Sequence, residues 1–181
     1  MRFFLLGVLG ALAVQAASGP EYTADGAVRF PEDYREWVYL SSGLGMTYGP
    51  AATSSGPPQF DSVFVNPAAW AEFKKTGKWP NGTMFILEIR KSVSEGSINR
   101  GGHFQGEVVG IEASVKDTTR FPGAGWAYLT FRTGAGKQTK VLSTKASCYG
   151  CHSANGAVDY TFVQFYPTAM PIAREKGTFR P

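Results

Sequence analysis

The pentapeptide Cys148-Tyr149-Gly150-Cys151-His152 contains both cysteines of the chain and one of its two histidines. On one helical turn the two thiols lie on a shared face, and the imidazole four residues after the first thiol lies on that face too. This spacing is typical of c-type haem attachment, in which each thiol adds to one vinyl group of the porphyrin. The neutral imidazole of His152 can then ligate the iron. The pentapeptide therefore predicts one covalently bound haem c per chain.

Three other uses of these residues fit the sequence less well. A zinc site needs four ligands, and His103 is the one histidine left to complete it. A redox dithiol usually belongs to a βαβ pattern, whereas this motif lies late in a chain with β-rich patterning. A disulfide between Cys148 and Cys151 would close too short a loop to stabilise a domain.

The N-terminus has the three parts of a secretory signal peptide. Arg2 is the basic part, residues 3–14 form an apolar run, and small residues follow it. The run is too short for an ordinary transmembrane helix, and no other segment is long and apolar enough. We expect residues 1–17 to be cleaved on export and residues 18–181 to form a single domain in the bacterial periplasm, where c-type haem is attached.

The charge pattern disfavours a nucleic-acid function. The formal net charge is +4, and lysine and arginine form no dense run. A mildly basic surface of this kind also favours docking to an acidic redox partner.

Capping signals predict two helices in the first half of the domain. Pro31, followed by two acidic residues, predicts a helix that runs to about Leu40. The second helix is marked by Asn66 as N-cap, Pro67 at the first helical position and Gly77 after the last turn.

Alternating apolar and polar residues then predict an antiparallel sheet. The expected strands cover residues 61–65, 83–91, 106–116, 125–132 and 160–166. The haem motif lies on a short helix between the last two of them, so the fold class is α+β. This order differs from the helical electron-transfer cytochromes c, whose motif lies near the N-terminus, and from the four-helix cytochromes c′.

The second axial position of the iron decides the function. A methionine or histidine ligand gives an electron carrier, whereas an open position allows the iron to bind a small molecule. Met170 and His103 are the candidate sixth ligands. Met170 is more simply explained as a packing residue and His103 as a loop histidine, so an open position is the leading interpretation.

Three segments resemble the cytochrome P-460 family: 76–83 (TGKWPNGT), 87–91 (LEIRK) and 161–167 (TFVQFYP). The resemblance implies an antiparallel sheet with helices, often in a homodimer, and a five-coordinate haem with His152 as proximal ligand. It also implies a lysine bonded to a porphyrin meso carbon and oxidation of hydroxylamine to nitrous oxide or nitrite, with electrons passed to an acceptor such as a cytochrome c. The related cytochromes c′-β share the fold, lack the cross-link and bind nitric oxide.

Lys78 is the first choice for the cross-linked lysine that the resemblance implies, and Lys91 is the second. Lys78 follows the expected helix end and precedes Trp79 and Pro80, which would fix its backbone while its long stem reaches a haem edge. Lys91 lies at the end of an expected strand.

A distal proton acceptor is harder to assign. Members active on hydroxylamine are expected to have a glutamate shortly before the haem motif, but residues 133–147 contain no aspartate or glutamate. Removal of protons from hydroxylamine benefits from a positioned base. The remaining candidates are Glu88, Glu107, Glu112 and Asp117, if the strand of one of them faces the haem.

Overall fold

The structure, a computed structural model, describes residues 19–48, 56–131 and 147–181. In these ranges five strands form an antiparallel sheet in which each strand pairs with the next along the chain. The strands are β1 (Val38–Leu44), β2 (Gln59–Val65), β3 (Met84–Val93), β4 (Phe104–Lys116) and β5 (Trp126–Phe131). The helices are α1 (Pro67–Thr76), α2 (Ser147–Asn155) and α3 (Met170–Glu175), with short 3-10 turns at Tyr34–Glu36 and Val163–Phe165. This is the predicted α+β class. The expected signal peptide and residues 132–146 lie outside the described residues.

Helix α1 begins and ends where its capping signals predict. Pro67 occupies the first position, and Gly77 takes a left-handed φ of 68° while its N–H donates to the Phe73 carbonyl at 2.7 Å. The Asn66 side chain does not cap the helix, however. Its oxygen accepts a hydrogen bond from the backbone N–H of Met84 at 2.8 Å, so it ties the start of α1 to the start of β3.

The helix predicted for residues 31–40 is wrong. The segment forms one 3-10 turn at Tyr34–Glu36 and then enters strand β1 at Val38. Proline and acidic residues start the turn, but the aromatic and β-branched residues after it favour a strand. Pairing with β2 supplies the hydrogen bonds that a longer helix would have supplied internally.

The strand predicted for residues 160–166 is also wrong. The chain instead forms an isolated bridge between Val158 and Thr161, followed by the 3-10 turn Val163–Phe165. Two consecutive residues with positive φ, Asp159 and Tyr160, reverse the chain here. The apolar alternation reflects the burial of single side chains against the helices and the sheet.

The sheet buries apolar residues on both faces. The face covered by the helices carries Phe85, Trp126 and Tyr128 together with Phe73, Trp79, Val163 and Tyr166. The opposite face packs on the N-terminal segment through Tyr34, Trp37, Ile86, Ile111, Val115, Leu129 and Phe131. In β5 and in residues 111–116 of β4 the side chains alternate between the two faces, so even-numbered residues there point toward the helices. A register shift between β3 and β4 reverses this order earlier in β4, where Val108 packs on the opposite face. No helix in the described ranges is long and apolar enough to cross a membrane.

Candidate haem site

Helix α2 carries the pentapeptide and packs on strand β5. The thiols of Cys148 and Cys151 are free, the first half-buried and the second exposed. The ring of Tyr149 contacts Tyr128 of β5 edge-on, with ring centroids 6.3 Å apart. Two free thiols and an imidazole therefore lie on one short helix, as their spacing predicts.

His152 is held in one orientation. Its ring lies between those of Tyr128 and Phe162, at centroid distances of 4.2 and 4.4 Å. Its Nδ1 lies 2.8 Å from the backbone oxygen of Tyr160. Because a carbonyl oxygen can only accept, Nδ1 carries the proton and Nε2 keeps its lone pair. Burial lowers the pKa of His152, although the Tyr160 hydrogen bond opposes this effect. The imidazole is therefore neutral and able to ligate a metal.

A cavity of about 230 Å³ lies between α2 and the sheet. Helix α2 and the segment after it contribute Cys148, Cys151, His152, Thr161, Phe162, Phe165 and Tyr166. The β1–β2 connection contributes Met46 and Tyr48. The strands contribute a row of directly paired residues, Ser41, Val63, Leu87, Glu112 and Thr130, with Asp61, Phe85, Ser114 and Tyr128 beside it. The lining is mainly apolar and aromatic, which suits a flat porphyrin.

Two carboxylates line this cavity. Partial burial raises the pKa of Glu112, and burial together with the negative charge of Glu112 raises the pKa of Asp61. The pKa of the Tyr48 phenol is raised by burial and then by the charges of Asp61 and Glu112. A carboxylate that holds its proton more tightly than usual is suited to accept protons near neutral pH.

Of the four carboxylates considered as the distal base, Glu112 is the one that lines the cavity. Glu88 is buried against the other side of the sheet. Glu107 is exposed and pairs with Lys91 at 2.9 Å. Asp117 binds Arg120 at 3.3 Å.

Asp61 was not among the predicted bases. The strand prediction for residues 61–65 was correct, and period-two alternation places Asp61 on the same face as Val63 and Val65. That alternation is the one signal in the sequence that groups Asp61 with apolar residues. The sequence does not show which face of the strand meets the cavity, however.

Glu88 belongs to a separate ionic cluster. Its carboxylate is 3% exposed and accepts hydrogen bonds from Tyr34, Arg35 and Arg90. Burial alone would raise the pKa of Glu88, but these hydrogen bonds outweigh it and lower the pKa. A carboxylate held ionised by two guanidinium groups is a poor proton acceptor.

The two lysines considered for the cross-link lie outside the cavity lining. Lys78 is exposed, and its backbone N–H donates to the side chain of Thr76 at 3.1 Å. Lys91 pairs with Glu107 on the exposed part of the β3–β4 hairpin. Lysine is absent from the cavity lining as far as the described ranges go.

The candidate sixth ligands also lie elsewhere. Met170 begins helix α3, where it is partly buried and packs on the core without lining the cavity. His103 is exposed just before β4. Neither position favours ligation from the side opposite His152.

The residues present fit a c-type haem. The two free thiols, the oriented imidazole and the apolar cavity are on one side of the sheet. In contrast, the described residues include no group of three or more His, Cys, Asp or Glu side chains arranged to hold a metal ion by themselves. The donor set therefore suits a metal carried by a porphyrin better than a bare zinc ion.

Comparison with known proteins agrees with this assignment. The family model for cytochrome P460 matches residues 31–163, a span that includes all five strands and the pentapeptide. No match was found among curated proteins. Because the matched span is most of the chain, the chain belongs to the cytochrome P460 family, a family of haem proteins with redox chemistry.

Proposed function

We propose that the protein is an exported c-type haem oxidoreductase that oxidises hydroxylamine and passes the electrons to an acceptor such as a cytochrome c. The observation that carries this proposal is the placement of Glu112 in the same cavity as Cys148, Cys151 and His152. A plain electron carrier has no need of a carboxylate with a raised pKa beside its haem.

Cys148 and Cys151 would hold the haem by adding their S–H groups across its two vinyl double bonds. The Nε2 atom of His152 would ligate the iron, since its Nδ1 is already engaged by the Tyr160 carbonyl. The chemistry that such a haem supplies is an iron with one open coordination position and the capacity to accept electrons.

Glu112 would accept protons from the substrate. Oxidation of hydroxylamine releases protons along with electrons, so a base near the substrate lowers the barrier. Asp61, in the same cavity, would receive the proton next or replace Glu112 as acceptor. Tyr48 lines the same cavity, and burial and then the charges of both carboxylates raise the pKa of its phenol.

A first experiment tests attachment and turnover together. The protein is produced with the c-type haem maturation machinery, denatured, and examined for haem that stays bound. Retained haem in the wild type and reduced retention in Cys148→Ala and Cys151→Ala are expected. Hydroxylamine-dependent reduction of a cytochrome c is then measured. Stable haem without any such reduction would contradict the catalytic part of the proposal.

The lysine cross-link remains part of the proposal, with Lys78 as first choice. Support comes from the family to which the chain belongs, while the exposed position of Lys78 requires a long reach or a rearranged loop. A cross-linked haem gives a ferrous Soret band strongly shifted to the red. Lys78→Ala should abolish that shift, whereas Lys74→Ala, an exposed lysine at the end of α1, should not. A red-shifted spectrum that survives Lys78→Ala assigns the cross-link elsewhere.

A second candidate function is capture of nitric oxide in the manner of the cytochromes c′-β. It is favoured by the mainly apolar lining and by the lack of lysine in the described part of that lining. An ordinary high-spin spectrum, tight nitric oxide binding and no hydroxylamine turnover would establish this alternative.

The assembly is proposed to be a homodimer, as the family resemblance implies. Sedimentation of the haem-loaded protein checks this, and a concentration-independent monomer mass would contradict it.

A further inference from the structure

The backbone oxygen of Tyr160, which orients His152, belongs to a tight turn. Residues 158–161 reverse the chain, with the Thr161 N–H donating to the Val158 carbonyl at 2.8 Å. The two central residues, Asp159 and Tyr160, have φ values of 46° and 63°. Residues other than glycine rarely adopt this conformation, and where they do the surrounding structure enforces it.

An ion pair from the sheet holds this turn. Lys116, the last residue of β4, binds the carboxylate of Asp159, and the two side chains are only 15% and 26% exposed. The same ammonium donates to the backbone oxygen of Trp79 at 2.7 Å. The indole N–H of Trp126 donates to the other carboxylate oxygen of Asp159 at 3.4 Å. Asp159 is thus fixed by two elements of the core.

A third contact fixes the end of the turn. The hydroxyl of Thr161 donates to the Val158 carbonyl at 2.6 Å and accepts from the indole N–H of Trp79 at 2.9 Å. Trp79 is fully buried, so this anchor does not move with the surface. Together with the ion pair it fixes the direction in which the Tyr160 carbonyl points.

Helix α2 packs directly on the turn. A Cβ atom at Gly156 would come within 2.7 Å of the His152 oxygen, the Thr161 nitrogen and the Tyr160 carbonyl carbon. Only glycine permits this approach. A displacement of the turn is therefore transmitted to the 2.8 Å contact between Tyr160 and His152.

We propose that Lys116 and Asp159 are positioning residues for the axial ligand, which set the strength of the hydrogen bond from His152 Nδ1 to the Tyr160 carbonyl. A stronger hydrogen bond at Nδ1 makes the imidazole a better electron donor through Nε2, and second-shell partners of this kind tune the metal. The inference rests on the proposed role of His152 as the iron ligand. A merely structural ion pair would hold the C-terminal segment to the sheet without affecting the metal.

The test uses the haem-loaded, ferrous protein and measures the iron–histidine stretching band by resonance Raman spectroscopy, together with the midpoint potential. Lys116→Met and Asp159→Asn should both shift the band to lower frequency and raise the potential. Lys116→Arg, which keeps the charge, should restore the wild-type band. Asp159→Asn should keep the turn, because asparagine tolerates positive φ and can still accept a hydrogen bond from Trp126. This variant therefore tests the proposal even if Lys116→Met does not fold. Glu107→Gln, which breaks the exposed pair with Lys91, is the matched control and should shift nothing.

The outcomes separate the two claims. An iron–histidine band missing from the wild type, with haem bound, overturns the ligation by His152 and this inference with it. A wild-type band that is unchanged in both variants, while their melting temperatures fall, overturns the positioning role and leaves the ligation intact. An equal shift in Glu107→Gln also overturns the positioning role, because that pair does not touch the turn.

Discussion

Replacement of Glu112 by glutamine tests whether the cavity carboxylate is the proton acceptor. The change keeps the size of the side chain and removes its capacity to take a proton. A positioned general base contributes about 10²–10⁴-fold to a rate. Because Asp61 lines the same cavity and can partly replace Glu112, we expect the lower end of this range. The value of kcat/KM for hydroxylamine should therefore fall about 100-fold, a loss of about 2.7 kcal/mol of transition-state stabilisation.

The pH dependence gives the sharper signature. A base acts in its deprotonated form, and burial raises the pKa of Glu112 above that of an ordinary glutamate. The wild-type rate should thus rise with pH through this raised pKa. Glu112→Gln should lose that rise, and the residual rate should follow the titration of Asp61 until Asp61→Asn is added. Loss of the Glu112 charge removes one cause of the raised pKa of Asp61 and of Tyr48, so the titration of these two groups differs between the proteins. His152 is common to both. The protonation of hydroxylamine is also common to both profiles and cancels in their ratio.

Stability distinguishes a base from a structural residue. The folded state binds the Glu112 proton more tightly than the unfolded state, because burial raises the pKa. Stability from this group is therefore complete below the unfolded pKa and is lost as the pH rises through the folded pKa. Glu112→Gln should be at least as stable as the wild type at pH 7 in urea unfolding.

The control is Glu107→Gln, which changes an exposed carboxylate on the same strand. It should leave both the rate and its pH profile unchanged. The assay is the initial rate of cytochrome c reduction at matched haem content. A threefold fall in kcat/KM corresponds to a loss of about 0.7 kcal/mol of transition-state stabilisation. The reasoning is refuted if kcat/KM falls by less than this both in Glu112→Gln and in the double variant with Asp61→Asn.

Three further predictions concern stability, measured by urea unfolding. Glu88→Gln should lose about 2–3 kcal/mol at pH 7, because it leaves the partly buried Arg90 unpaired; since the pKa of Glu88 is lowered, the difference should vanish as the pH falls below that pKa. Gly77→Ala should lose about 1–2 kcal/mol because of its left-handed φ; no loss would contradict that backbone. Trp79→Phe should lose about 2 kcal/mol through its hydrogen bond to Thr161 and the cavity created; a neutral effect would show that this anchor is dispensable.

Local signals predicted the parts of the fold that local energetics decide. Helix α1 begins with a proline and is followed by a glycine that takes a positive φ. The types of these two residues predict the two ends of the helix. Strands β3, β4 and β5 follow from alternation over long segments. The two wrong elements, at residues 31–40 and 160–166, are short. There, pairing with β2 or burial against the core outweighs the local preference.

In the candidate site, too, the residues decided by one local segment were predicted, and those that depend on tertiary structure were harder to predict. Covalent chemistry depends on spacing within one helix, so the sequence alone picks out Cys148, Cys151 and His152. The carboxylates depend on which strands are neighbours and on which face meets the cavity. From the sequence, Glu112 was one of four candidate bases, and Asp61 was not a candidate. Period-two alternation shows neither that β2 pairs with β3 nor which face of the sheet is covered by the helices.

Two glutamates on neighbouring strands show how much depends on register. In the observed pairing Glu112 lies opposite Leu87, and Glu88 lies opposite Ile111. Glu112 therefore faces the cavity, and Glu88 faces the arginine cluster on the other side of the sheet. A slip of one residue in β3 would turn both Glu88 and Arg90, which lie on that strand, toward the cavity and leave Leu87 beside Tyr34 and Arg35. The hydrogen bonds from Tyr34 and Arg35 thus do more than stabilise Glu88: by penalising that slip, they keep a third carboxylate away from the cavity and leave Glu112 and Asp61 as the titrating pair.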